Sequence, residues 1–169
     1  MKSDRSFLST TQSRVAALGV LAIAVALPAC SGNAANDAYT WSAELVEVDQ
    51  SAGTVTVQSR LVSNAEVDFE ALEKGDRVTL TWSGINTAAG VRRIVQGDAP
   101  DGDVLTLPIE FVSPELDERY VRFKVAVPSD DLVKIASLQP GSWITATSLR
   151  RAEDFKEAVV DVRPYNDVA

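Results

Sequence analysis

The chain repeats itself with an offset of 66 residues, and this repeat limits the folds open to it more than any other feature. Thr40, Glu44, Val46, Val55, Ser63, Val67, Leu72, Gly75, Thr79 and Thr81 recur as Thr106, Glu110, Val112, Val121, Ser129, Val133, Leu138, Gly141, Thr145 and Thr147. Those ten identities span residues 38–84 against 104–150 without a gap. Apolar pairs extend the match, among them Ala43 with Ile109, Leu45 with Phe111, Val57 with Phe123 and Val78 with Ile144. Self-similarity at a fixed period indicates a repeated supersecondary unit, so the fold is sought in one unit and then doubled.

Each unit reads as β-β-α-β-β. Residues 39–48 alternate, placing Tyr39, Trp41, Ala43 and Leu45 on one face, which is the period-two signature of a strand. Ser51-Ala52-Gly53 is a turn, and Thr54-Val55-Thr56-Val57 resumes the alternation as the return arm of a hairpin. Ser63 followed by Glu66 is a capping box that predicts a short helix through Leu72, ended by Lys74-Gly75. Strands at 77–82 and 91–95 close the unit. The second unit repeats the order, with strands near 104–112 and 119–127 and a helix N-capped by Ser129. Asp130 and Asp131 lie in the first turn of that helix, and Pro140-Gly141 stops it. Strands near 142–149 and 156–163 complete it. The fold class expected is mainly β with two short helices, arranged as two OB-like small barrels or one fused pseudo-twofold barrel. The segments are 1–29 (leader), 30–38 (tether), 39–97 (first repeat), 98–103 (connector) and 104–165 (second repeat). A unit of about 60 residues without disulfides is marginal alone, so the two are expected to pack together.

A helix between early and late strands resembles the OB-like barrel. The order of apolar strand, turn, TVTV, helix and KGDRVTL is also similar to the periplasmic metal-binding barrels of copper-efflux systems. That family holds its metal with His, Met and Trp. This chain has no His, and its only Met is Met1. The resemblance therefore implies a fold and not a copper function.

The leader carries Lys2, Arg5 and Arg14 ahead of an uncharged apolar run, residues 15–27. A membrane-spanning helix needs roughly 20 apolar residues, so this is a secretory signal rather than a span. It ends in Leu27-Pro28-Ala29-Cys30, which resembles the lipobox of bacterial lipoproteins, with Pro28 where Ala, Ser or Thr is more usual. The resemblance implies cleavage before Cys30, acylation of its thiol, and attachment to the membrane through the lipid. With Ser31 rather than Asp after the cysteine, it implies the outer membrane, facing the periplasm. Each buried CH₂ adds about 0.8 kcal/mol, so three acyl chains hold the protein essentially permanently.

Composition narrows the chemistry. The formal net charge is −8, and loss of Lys2, Asp4, Arg5 and Arg14 with the leader takes it to −10. Nucleic acid is disfavoured, because its binding rests on Lys and Arg neutralising phosphates. Cys30 is the only cysteine. With no His and no free thiol in the body, a His base, a Cys nucleophile and imidazole or sulfur metal sites are excluded. No cofactor is expected. Glu44 and Glu110 are the one repeat-equivalent carboxylate pair; solvated strand faces usually carry Glu, and no catalytic residue is assigned.

Two site candidates remain. Asp98, Asp101 and Asp103 lie close enough in sequence to offer oxygen ligands to Ca²⁺, although D-x-x-D-G-D is also what a polar turn looks like. Trp41 and Trp82 fall on apolar faces and read as core. Trp143, with Tyr120, Arg122 and Lys124, falls on nominally outward faces. These four form either a partner-binding surface of the kind aromatics and Arg favour or a face packed against the first unit. Arg92-Arg93 and Arg150-Arg151 read as solvated hairpin charges. The expected function is a non-enzymatic binding or accessory module of an envelope complex, with an envelope protein as partner. The alternative is a small-ligand or Ca²⁺ binder using oxygen ligands.

Overall fold

The computed structural model describes residues 37–165, apart from Asn86, Val104, Leu116 and Glu118. The leader, Cys30 and the tether up to residue 36 lie outside the described residues. Among these residues there are eight strands: β1 (Ala38–Asp49), β2 (Thr54–Glu66), β3 (Arg77–Trp82), β4 (Val91–Gln96), β5 (Thr106–Glu115), β6 (Tyr120–Ala126), β7 (Trp143–Leu149) and β8 (Val159–Pro164). β1, β6 and β7 alternate buried with more exposed residues as their sequences predict, whereas β4 and β8 bury every third residue, Val91 with Ile94 and Val159 with Val162. Among the described residues one α-helix, α1 (Ser129–Ile135), lies between β6 and β7. The protein is thus mainly β, and the strands form one sheet in the order β4-β3-β5-β6-β2-β1-β7-β8. A further parallel pairing joins β4 to β2 at Leu61↔Val91 and Glu66↔Arg93. The inward residues make one apolar core, in which the Trp41 ring lies tilted against Trp82 and Phe123 at centroid distances of 5.7 and 6.1 Å.

Each half of the chain supplies strands to the other. β1 pairs with β7, from Ala38↔Leu149 to Glu44↔Trp143. β3 pairs with β5, from Arg77↔Glu110 to Thr81↔Thr106. Advancing the β1 residues 40–44 by 66 and moving their β7 partners back by 66 gives the five pairs of the second ladder. The β1–β2 hairpin has an extra residue, Val46, between Leu45 and Glu47; the β5–β6 hairpin has Val112 between Phe111 and Ser113. β2 and β6 pair with each other about Val57↔Phe123, residues that are themselves 66 apart.

The helix expected from Ser63 to Leu72 does not form. Ser63–Glu66 completes β2, and only a 3-10 turn follows at Phe69–Ala71. The local capping signal loses to the parallel pairing with β4, where the Glu66 carboxylate also meets the Arg93 guanidinium at 2.5 Å. At the matching place in the second half Pro128 stands where the first half has Val62. Proline has no N–H to give a ladder, so β6 stops at Ala126 and the chain turns into α1. Pro128 rather than Ser129 is the N-cap, without a side-chain capping bond, and the helix ends at Ile135, ahead of Pro140-Gly141. Gly141 (φ +90°) instead serves the turn into β7.

Gly90 permits the β2–β4 pairing. A Cβ there would stand 2.6 Å from the Arg60 carbonyl oxygen, and its φ is +110°. The chain can approach β2 this closely only without a side chain. At the other end of the sheet the free edge of β8 is blunted. Asp131 of α1 accepts the Val162 N–H at 2.9 Å, and Pro164 has no N–H to offer.

Candidate contact surface

Antiparallel register places directly opposed residues on the same side of a sheet. One such row runs from Trp143 on β7 through Glu44 on β1 and Gln58 on β2 to Arg122 on β6. Tyr120, Arg122 and Lys124 alternate with buried Val121, Phe123 and Val125 on β6, so the three expected outward residues share one face. Trp143 lies three strand spacings along that face, roughly 14 Å away at about 4.8 Å per strand. The four residues therefore occupy one face without forming one cluster.

The basic members of that set are engaged. Arg122 donates to Gln58 Oε1 at 3.2 Å and meets the Glu115 carboxylate at 3.2 Å. Lys124 lies 3.5 Å from Glu110, whose other oxygen is 3.1 Å from Arg77. Glu110 thus serves two cations on the β3-β5-β6 face, whereas Glu44 stands in the row beside Trp143. The two glutamates do not converge.

Trp143 is different. It is 53% exposed, while Trp41 and Trp82 are each 1% exposed. Its ring lies 6.4 Å from that of Tyr165, itself 46% exposed, and its carbonyl accepts the Tyr165 N–H at 2.9 Å. Trp143 is therefore not buried against the first half, while Tyr120, Arg122 and Lys124 are half-buried. Tyr165 was not flagged by the sequence, because it follows the last alternating residues of β8 and sits beyond Pro164. The residue 66 positions before Trp143 is Arg77, whose guanidinium rests 3.6 Å over the Phe155 ring. Between that pair and Lys124 opens a groove of about 970 Å³, also lined by Thr79, Asp98 and Glu110.

The aspartates of the connector do not make a calcium site. Asp103, whose side chain is 8% exposed, is held by Arg92, by Arg93 at 3.4 Å and by the Thr81 hydroxyl at 3.2 Å. Two guanidinium groups on that carboxylate repel a divalent cation. Asp98 lines the groove instead, Asp101 is exposed, and among the described residues no three His, Cys, Asp or Glu side chains group as metal ligands. The same network corrects the reading of Arg92 and Arg93 as solvated charges: they clamp the connector to β4. Arg150 and Arg151 follow β7, where the Arg150 N–H donates to the Asp37 carbonyl at 2.7 Å.

Among the described residues three groups have shifted titration. Burial pushes the Tyr39 phenol well above its ordinary value; its hydroxyl donates to the Thr106 carbonyl at 2.9 Å. Asp49 is held below the usual carboxylate range by the Ser51 hydroxyl and the Ala52 N–H, which close the β1–β2 turn. Lys134 is raised by its contact with Asp131. No described helix is long and apolar enough to cross a membrane. No family model, curated protein or solved structure matches this chain.

Proposed function

We propose that this chain is a lipid-anchored, non-enzymatic binding module of the bacterial envelope, held in the outer membrane through Cys30 and facing the periplasm. The fold that serves it is one fused barrel of two interleaved repeats related by a pseudo-twofold axis near Val57 and Phe123. The equal registers of the β1–β7 and β3–β5 ladders and the matched extra residues Val46 and Val112 support that reading. The observation that carries the function is the exposed Trp143–Tyr165 pair. A Trp and a Tyr side by side in water leave apolar area uncovered, and exposed aromatics of this kind are the anchors that protein partners bury. Trp143 opposes Glu44, six residues into β1 from Ala38, so it stands roughly 20 Å along the strand from the anchored end at about 3.3 Å per residue. An envelope protein reaching the module from the periplasmic side would meet it there.

A photo-crosslinking residue at position 143, in intact cells, tests this. A discrete protein adduct that is lost in Cys30→Ser is the expected result. Absence of any adduct, with the protein anchored and folded, would shift the reading to a small ligand in the groove between Arg77, Phe155 and Lys124.

A further inference from the structure

We infer that the end of the sheet where β1 begins is a membrane seat, on which Ile85 dips into the headgroup layer of the bilayer that carries the anchor. The inference rests on acylation of Cys30. From Cys30 to Asp37 the chain spans seven residues, at most about 25 Å when fully extended. The start of β1 therefore cannot leave the neighbourhood of the lipid surface. Ile85 is fixed at that end. It sits in the β3–β4 connection, where the Thr87 hydroxyl donates to the Thr40 carbonyl at 2.9 Å, three residues from Asp37. It is 85% exposed, the most exposed of the large apolar side chains described. In water that exposure is unfavourable; in the interface it is satisfied.

The seat is apolar rather than electrostatic. Arg150 and Arg151 stand at the same end, but Glu153, Asp154 and Glu157 line the same hollow, so their charge is offset locally. Salt and anionic lipid should therefore matter little. Seating this end also directs the Trp143 region away from the bilayer, as a periplasmic partner requires.

The test uses the full lipidated chain in zwitterionic phosphatidylcholine vesicles that carry a headgroup-level nitroxide quencher. Acylation leaves no free thiol, so I85C and W143C each accept one polarity-sensitive fluorophore. The expected result is at least about threefold stronger quenching at position 85 than at 143, unchanged in high salt, as for an apolar interfacial contact. Protein that floats with the vesicles while both probes are quenched equally overturns the seat and leaves the anchor standing. Protein that fails to float, with no acyl mass at Cys30, overturns both, and flotation tells the two failures apart. Quenching that vanishes in high salt overturns the apolar seat.

Discussion

Single residues at close approaches set what this sheet can do. Gly90 is one: its missing Cβ lets β4 lie against the Arg60 carbonyl, and its φ of +110° suits no L side chain. Gly90→Ala should lower unfolding stability by about 2–3 kcal/mol, combining strain at positive φ with a backbone clash. A urea midpoint measured beside Gly84→Ala checks it. Gly84 also has a positive φ, but at +62° it lies in the left-handed region that L residues enter at modest cost, and nothing stands within 4 Å of its added Cβ, so Gly84→Ala should cost less in both strain and clash. Tyr39 is another. Its phenol titrates above the ordinary value of 10.0 because it is buried. Below pH 10 both the folded and unfolded forms keep the proton. As pH rises past that value the unfolded chain ionises first, so stability falls steadily until the folded phenol also titrates. Tyr39→Phe should be less stable at neutral pH by about 1 kcal/mol, the worth of the lost bond to Thr106. Its stability should fall less steeply above pH 10, as followed by denaturant titration across pH 8–11.

At the scale of elements, one stretch of sequence serves two ends. Residues 61–66 are strand and pair with β4; the matching 127–132 turn through Pro128 into α1 and cover β8. What the first half achieves with a ladder the second achieves with one carboxylate, since Asp131 takes the Val162 N–H that would otherwise face solvent. Asp131→Ala should cost about 1–3 kcal/mol, the penalty for an N–H left without its acceptor, and should expose a strand edge. Thermal melting reads the first effect. Concentration-dependent association by size-exclusion chromatography reads the second, and a variant that stays monomeric would mean Pro164 alone protects the edge.

For the molecule as a whole, the interleaving of strands makes the halves interdependent. Each half lacks the partner of its own first and third strands, since β1 is completed by β7 and β5 by β3. A fragment covering 37–97 should therefore show no cooperative unfolding by circular dichroism, while co-expression with 98–165 should restore it. A fragment that melts cooperatively alone would argue for two separable barrels.

The sequence by itself determined where most of the strands run and which side of the alternating ones is buried. Tyr39, Trp41, Ala43 and Leu45 read as one apolar face and lie in the core, as do Val78, Leu80 and Trp82. Such alternation is written locally, because successive side chains of a strand point to opposite faces whatever the strand pairs with. The lipobox reading is local too, and lies outside the described residues. Tertiary structure decided everything that depends on a distant partner. It made 63–66 a strand because β4 was there to receive it, and it drew Arg92 and Arg93 onto Asp103 and away from solvent. It separated Trp143 from Arg122 along the face and brought Tyr165 beside the indole. A residue's periodicity belongs to the chain around it. Its neighbours across the sheet are fixed only when loops close and ladders choose their register, a choice made between distant segments that no single stretch specifies alone.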